Sequence, residues 1–375
     1  MKKLLKNEGV QAFLASVICI ILGLLIGYIV LLCINPAGAT ESMVGVIKNF
    51  LTASKAARRV KLLGNTLAKT MPLLMCSLSI LFAYKVGLFN IGAAGQYVAG
   101  ACASLYAALA WGWNWFPCVL FAMVAGSLLG AIVGFLKSRC NVNEVISGIM
   151  LNWISLYTAN TILTLVKEST SPYTMYVSEV NRSALLPSLG LNTLFGNDYV
   201  TIAIPVALLI AIAVEIILNK TKFGYELRAT GNNKNAAKYA GMAENRNIIL
   251  SLMISGSLAA LGAAMLFLSG YTRWECTQSS VPGMGFNGIA AAFLGGLNPI
   301  GAIFSSFFIQ HITDGGAYVN TNFYCSQISD LISSVIIYLC GFVLFIKLSM
   351  KGLLAKAEEK KAKLAAANTQ EGGDK

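Results

Sequence analysis

The chain has 375 residues, of which 56% are hydrophobic and only 12% are Asp, Glu, Lys or Arg; its mean hydropathy is +0.68. Soluble domains carry about 25% charged residues, so too little polar surface is available to coat a globule of this size, which excludes a cytosolic enzyme and a disordered chain. The net charge of +12 does not signal nucleic acid, because the basic residues sit between apolar runs, and the reading that remains is an all-α, polytopic membrane protein.

A helix needs about 20 apolar residues to span a bilayer. The first apolar run, 10–34, follows Lys2, Lys3 and Lys6. It is longer than the roughly 7–15 residues of a signal-peptide core, so it reads as a retained first span although Ala37-Gly38-Ala39 resembles a cleavage site. Residues 35–65 carry Lys48, Lys55, Arg58, Arg59 and Lys61 and read as an amphipathic helix along the outer surface. Further spans are predicted at 66–84, 90–110, 117–136, 145–165, 200–218, 248–268, 285–297, 300–312 and 328–346, about ten in all. The eighth and ninth are short and meet at Gly295-Gly296-Leu297-Asn298-Pro299, which predicts a re-entrant hairpin, tolerated at membrane depth only under cover of protein or a water-filled cavity.

Placing both termini in the cytoplasm puts 19 of the 28 basic residues inside, as the excess of Lys and Arg on cytoplasmic loops requires. Trp111, Trp113 and Trp115 then fit an aromatic belt on the outer side. The transmembrane domain is 1–347, with an external loop at 167–198, a cytoplasmic loop at 220–247, and a charged cytoplasmic tail at 348–375 that could meet lipid but reads first as a solvated face. The nine cysteines lie mostly in or beside apolar segments and read as small, buried hydrophobes. His311 is the single histidine, which argues against a metal site.

Charge inside a bilayer marks function by default, and here Glu215, Asp330 and Glu144 stand only near span ends. No predicted helix carries the acidic pair or histidine relay that proton coupling uses. Uncharged amides are plentiful instead. Gly87-Leu-Phe-Asn90-Ile-Gly92-Ala-Ala-Gly95-Gln96 puts two amides among three glycines, which ties a kinked helix to its neighbour or faces a substrate. Asn143 and Glu144 are read as the cap and first turn of the fifth helix, with Asn152 about two turns deeper. Asn287 stands at the mouth of the short hairpin. Gly23/Gly27 and Gly126/Gly130/Gly134 fit close helix packing. In the cytoplasmic loop a strand or turn is expected to end at Gly231-Asn232-Asn233, followed by a short helix at 235–240 stopped by Gly241. Such a small-faced helix is shaped to dock in another protein's groove.

Three segments, 87–96, 143–152 and 221–241, resemble in order and spacing the permease subunits of bacterial ABC importers. They are most similar to the nucleoside and simple-sugar branch of the branched-chain-amino-acid-type permeases. The resemblance covers roughly residues 60–345 and departs at Ala94, where a Glu is expected in many relatives. It implies a multi-pass protein of the bacterial plasma membrane that moves nucleosides by alternating access, with simple sugars of the ribose and galactose type as the alternative and an ion-coupled carrier as the reading of another class. It also implies a second permease subunit, two ATPase subunits or a fused ATPase, and an external substrate-binding lipoprotein. Asn90, Gln96, Asn152 and Asn287, the amides singled out above, are the candidates for the substrate pathway of such a permease. By that resemblance Gly224, Arg228, Gly231, Asn232, Ala236, Ala237 and Gly241 belong to the segment that couples to the ATPase. The chain is then not itself an enzyme and needs no cofactor: it has no G-x-x-x-x-G-K-[ST] motif, so ATP is used by its partners.

Overall fold

The computed structural model describes residues 8–352 apart from 326, 344, 347 and 350. Lys2, Lys3, Lys6 and the charged tail beyond 352 lie outside the described residues. Fifteen α-helices are formed among the described residues: α1 Glu8–Ile34, α2 Pro36–Lys48, α3 Ala56–Tyr84, α4 Ala93–Leu109, α5 Trp115–Cys140, α6 Glu144–Leu163, α7 Val177–Val180, α8 Leu191–Phe195, α9 Ala203–Lys220, α10 Lys222–Asn232, α11 Lys234–Tyr239, α12 Glu244–Phe267, α13 Met284–Leu294, α14 Pro299–Gly315 and α15 Ile328–Cys340. The described residues form no strand, only isolated bridges between Lys167 and Thr174 and between Tyr173 and Glu275. Each of the ten expected spans overlaps a helix, but among the described residues six helices are long and apolar enough to cross a membrane: 14–34, 56–84, 115–140, 144–166, 203–220 and 244–267.

α3 is the axle. In its most apolar stretch 89% of residues are buried, because α12, α13 and α14 pack around it. α12 in turn lies on α5 with almost no side chain between them. A Cβ on Gly130 would stand 2.0 Å from the Leu252 carbonyl oxygen, and one on Gly126 would stand 2.3 Å from that of Gly256. The glycine stripe therefore does what small residues do between membrane helices, letting backbones touch. Gly23 and Gly27 likewise seat Ile336 and Ile332 of α15.

The outward faces are apolar. On α5, Phe116, Leu120, Val124, Leu128, Ile132 and Phe135 are exposed in a helical stripe. Such a stripe would be a liability in water and is the normal face toward lipid or another membrane subunit.

Three expectations are corrected. The segment 35–65 is not one surface helix: Asn35 accepts from the Ala37 amide at 3.0 Å and Pro36 begins α2, so the chain reverses. α2 then runs back along α1, with the Tyr28 hydroxyl 2.9 Å from that of Thr40. α3 begins at Ala56 and carries Arg58, Arg59 and Lys61 inside it; the apolar run had concealed a longer helix with a polar first third. Finally, α4 begins at Ala93 rather than Asn90, because Gly87 adopts φ +75 and the residues after it form a turn. The cysteines divide as well, with Cys33, Cys140 and Cys325 exposed and Cys19, Cys76, Cys102, Cys118 and Cys276 buried.

α13 and α14 form a helical hairpin at the predicted place. Asn298 accepts from the amides of Ile300 and Gly301 at 2.9 and 3.1 Å and so caps α14, while Pro299 takes the first helical position, where its missing N–H costs nothing.

Candidate functional site

The segment after α9 is helical from Lys222, where a strand or turn was expected. The Thr221 hydroxyl accepts from the Gly224 amide at 3.1 Å, and a Cβ on Gly224 would lie 2.1 Å from the Ile217 carbonyl oxygen. Only glycine lets α10 double back so tightly on α9. Gly224, Leu227 and Thr230, spaced three apart, form its buried face. Arg228 donates to the Gly224 carbonyl at 3.4 Å and to Asn219 at 3.5 Å. Asn233, the last residue of the predicted Gly231-Asn232-Asn233 boundary, caps α11 by accepting from the Ala236 amide at 3.0 Å. Gly241, with φ +79, follows α11 as expected. Ala237 is buried while Asn232, Ala236 and Tyr239 are exposed, Tyr239 at 94%. The pair α10–α11 is moored to α12 by Asn247, which donates to the Thr230 hydroxyl at 3.1 Å, and by Arg246 with Glu226 at 3.6 Å.

Gly231 is where this foot meets the turn that leaves α3. A Cβ there would stand 2.4 Å from the Lys85 carbonyl oxygen and 2.8 Å from the Val86 carbonyl carbon. Gly87, on the other side of the contact, faces the Gly231 carbonyl oxygen. Backbone rests on backbone, so a displacement of α10 bears directly on the turn leaving α3.

The same turn is held from the far side by α6. Asn152 accepts from the Gly95 amide at 2.7 Å and donates to the Ile91 carbonyl at 3.0 Å. It thereby closes the turn and caps the start of α4. Gly148 approaches the Gly92 backbone within 2.9 Å of an added Cβ. At the root of α6, Asn143 accepts from the Val145 amide at 2.8 Å, and Glu144 pairs with Lys137 of α5 at 2.7 Å. Inside the turn, Asn90 donates to Gln96 at 2.8 Å and to Ser255 at 2.6 Å, while Ser79 and Ser255 lie 2.9 Å apart. Asn90, Gln96 and Asn152 are thus buried and partnered, each tying α3, α4, α6 or α12 to the turn. Asn287 stands apart from them, half-buried on the first turn of α13. Ala94 is buried under Gly285, whose Cβ would fall 2.5 Å from the Ala94 Cα, a place without room for a longer side chain.

A cleft of about 500 Å³ opens between foot and turn, lined among others by Lys85, Glu144, Arg228, Gly231 and Asn232. Burial lowers the Lys85 ammonium below its ordinary value and Arg228 adds to this, while Glu215 partly offsets it.

The sequence reading had singled out neither Ser79, Ser255, Asn247 nor Lys85. A serine in an apolar run carries no signal of its own; its partner on a distant helix supplies it. No group of His, Cys, Asp and Glu side chains able to hold a metal is present among the described residues.

Residues 62–341 match the family model described as the branched-chain amino acid transport system permease component. The chain belongs to that family. Among the relatives of this permease is the nucleoside ABC transporter permease protein NupB of Lactococcus lactis subsp. cremoris, 31% identical over 98% of this chain and 100% of that protein. The guanosine ABC transporter permease protein NupP of Bacillus subtilis is 37% identical over 65% of this chain and 70% of its own. The glucose ABC transporter permease protein TsgB13 of Haloferax volcanii is 27% identical over 70% of each. No solved structure matches the chain significantly.

Proposed function

We propose that this permease carries nucleosides across the plasma membrane as one membrane subunit of an ATP-driven importer. The observation that carries the mechanism is the backbone contact of Gly231 with Lys85 and Val86. It joins the exposed foot α10–α11 to the turn that ends α3 and opens α4. An ATPase seated on the foot would push that turn, and Asn90, Gln96 and Asn152 would transmit the push to α4, α6 and α12. In this reading these three amides serve the pathway through the joint they brace, and Asn287 touches what passes. The nucleoside assignment rests on the relatives in Lactococcus and Bacillus. A simple sugar is the second reading, favoured by the glucose permease of Haloferax.

The topology that goes with this has about ten membrane elements, α2 folding back beside α1, α13–α14 as a re-entrant hairpin, and both termini and the foot in the cytoplasm. The partners are a second, related permease, a pair of ATPase domains and an external binding lipoprotein. The test is guanosine uptake into vesicles holding the permeases and their ATPase: uptake is expected to need ATP and to stop with vanadate. Uptake that persists without the ATPase and collapses with an uncoupler would establish a secondary carrier instead.

A further inference from the structure

Between α12 and α13 the chain descends without forming a helix. Its upper end is fixed by Asn160 of α6, which donates to the Gln278 carbonyl at 2.9 Å and accepts from the Trp274 indole at 3.0 Å. Its lower end is fixed at Gly285, packed on Ala94, next to Gly95, which Asn152 of α6 holds at 2.7 Å. From residue 160 down to 152 a helix travels about 12 Å, so the strip 279–284 crosses that depth beside α6.

Ser279 and Ser280 are exposed, and among the described residues the backbone N–H groups of Ser279, Ser280 and Val281 find no hydrogen-bond acceptor. Lipid tails offer none either, and bare amides at that depth are tolerated only along a water-filled cavity or under protein. On the same stretch of α6, Trp153 and Tyr157 are 42% and 57% exposed. Their rings stack with centroids 6.2 Å apart and planes 24° from parallel. At about 100° per residue, positions 153, 157 and 160 fall within one narrow arc of the helix, so the aromatic pair flanks the side where the strip descends. Asn287 lies one turn below the strip.

We propose that Trp153 and Tyr157 form a stacking wall for the base of a nucleoside, and that the amides of residues 279–281 meet its hydroxyls or the water around it. This deepens the nucleoside reading and rests on it. Flat π-faces bind bases with little regard to identity, because every base has a π-face, while unpaired donors suit the neutral, oxygen-rich ribose.

The experiment is guanosine uptake by the complete importer carrying W153A, Y157A, W153F or Y157F, alongside S279C tested with a small water-soluble methanethiosulfonate and compared with the parent chain for its native cysteines. The alanine variants are expected to raise the guanosine concentration for half-maximal uptake about tenfold or more, while the phenylalanine variants stay within about twofold. S279C is expected to be labelled, and guanosine to slow the labelling far more than ribose does. Wild-type uptake of guanosine with unaltered half-saturation in both alanine variants would overturn the stacking, as would an S279C that ribose protects equally well, and an S279C that no reagent reaches would overturn the water-lined strip. Should the alanine variants fail to assemble, the protection of S279C decides. Absence of guanosine uptake by the wild type would remove the nucleoside reading itself.

Discussion

Two residues test the joint from opposite sides. At Gly231 any side chain meets the Lys85 carbonyl oxygen at 2.4 Å, so Gly231→Ala must shift either the foot or the turn, an overpacking that costs roughly 1–3 kcal/mol. The expected outcome is a complex that assembles but hydrolyses ATP without matching uptake, measured as the ratio of the two rates; a wild-type ratio would take the contact out of the mechanism. Asn152→Leu leaves the Gly95 amide and the Ile91 carbonyl without their buried partner, at about 1–3 kcal/mol for each orphaned group. Here the expected result is a lower thermal midpoint of the purified chain, with Asn152→Asp less affected than Asn152→Leu because it keeps the acceptor for Gly95. Asn90→Leu strands the Gln96 and Ser255 partners in the same way and is expected to fail at assembly, before uptake can be scored.

At the scale of elements, α11 has only six residues and cannot be stable by propensity alone. Its cap and its single buried side chain, Ala237, hold it in place. Asn233→Ala removes the cap, worth about 1 kcal/mol, and is expected to raise amide exchange across 234–240 and weaken ATPase binding while leaving α10 protected. A second element-level device is a clasp on the loop 167–198: Arg273 pairs with Glu168 at 2.6 Å and lies over the Tyr176 ring at 3.9 Å. The bond from Arg273, helped by Ser171, holds the Glu168 carboxyl below its ordinary value. A depressed carboxylate contributes stability that is full above its unfolded value and is lost as pH falls through the folded one. The clasp is therefore expected to hold at neutral pH and loosen below about pH 4, seen as acid-dependent proteolysis of 167–198 in the wild type and its loss of pH dependence in Glu168→Gln.

For the whole molecule, the exposed apolar stripes of α1, α5 and α9 are the faces that the proposed function assigns to lipid and to a second membrane subunit. The foot should lie across the bilayer from the clasp, so a cysteine replacing the fully projecting Tyr239 is expected to crosslink to an ATPase from the cytoplasmic side and to resist an impermeant maleimide applied outside. External labelling would invert the topology.

The sequence by itself determined the class of molecule and the approximate place of every long helix, since apolar runs of this length have one physical solution in a bilayer. It also located the short helix of the foot, whose alanines and closing glycine are local signals, and its motif order pointed to the permease family. What it could not decide was how Gly87, Gly148 and Gly231 meet, because a glycine states that something comes close without stating what. Nor could it tell which amides brace the joint: Asn90, Gln96 and Asn152 differ from Asn287 in which distant backbone or side chain lies within 3 Å. The reversal at Asn35-Pro36 is set locally, by an Asn cap and a proline at the first helical position, whereas the helix begun at Ala56 was hidden because its first turns are exposed and charged and carry no apolar signal. Burial in a membrane is read from composition, whereas partnership is a property of three dimensions alone.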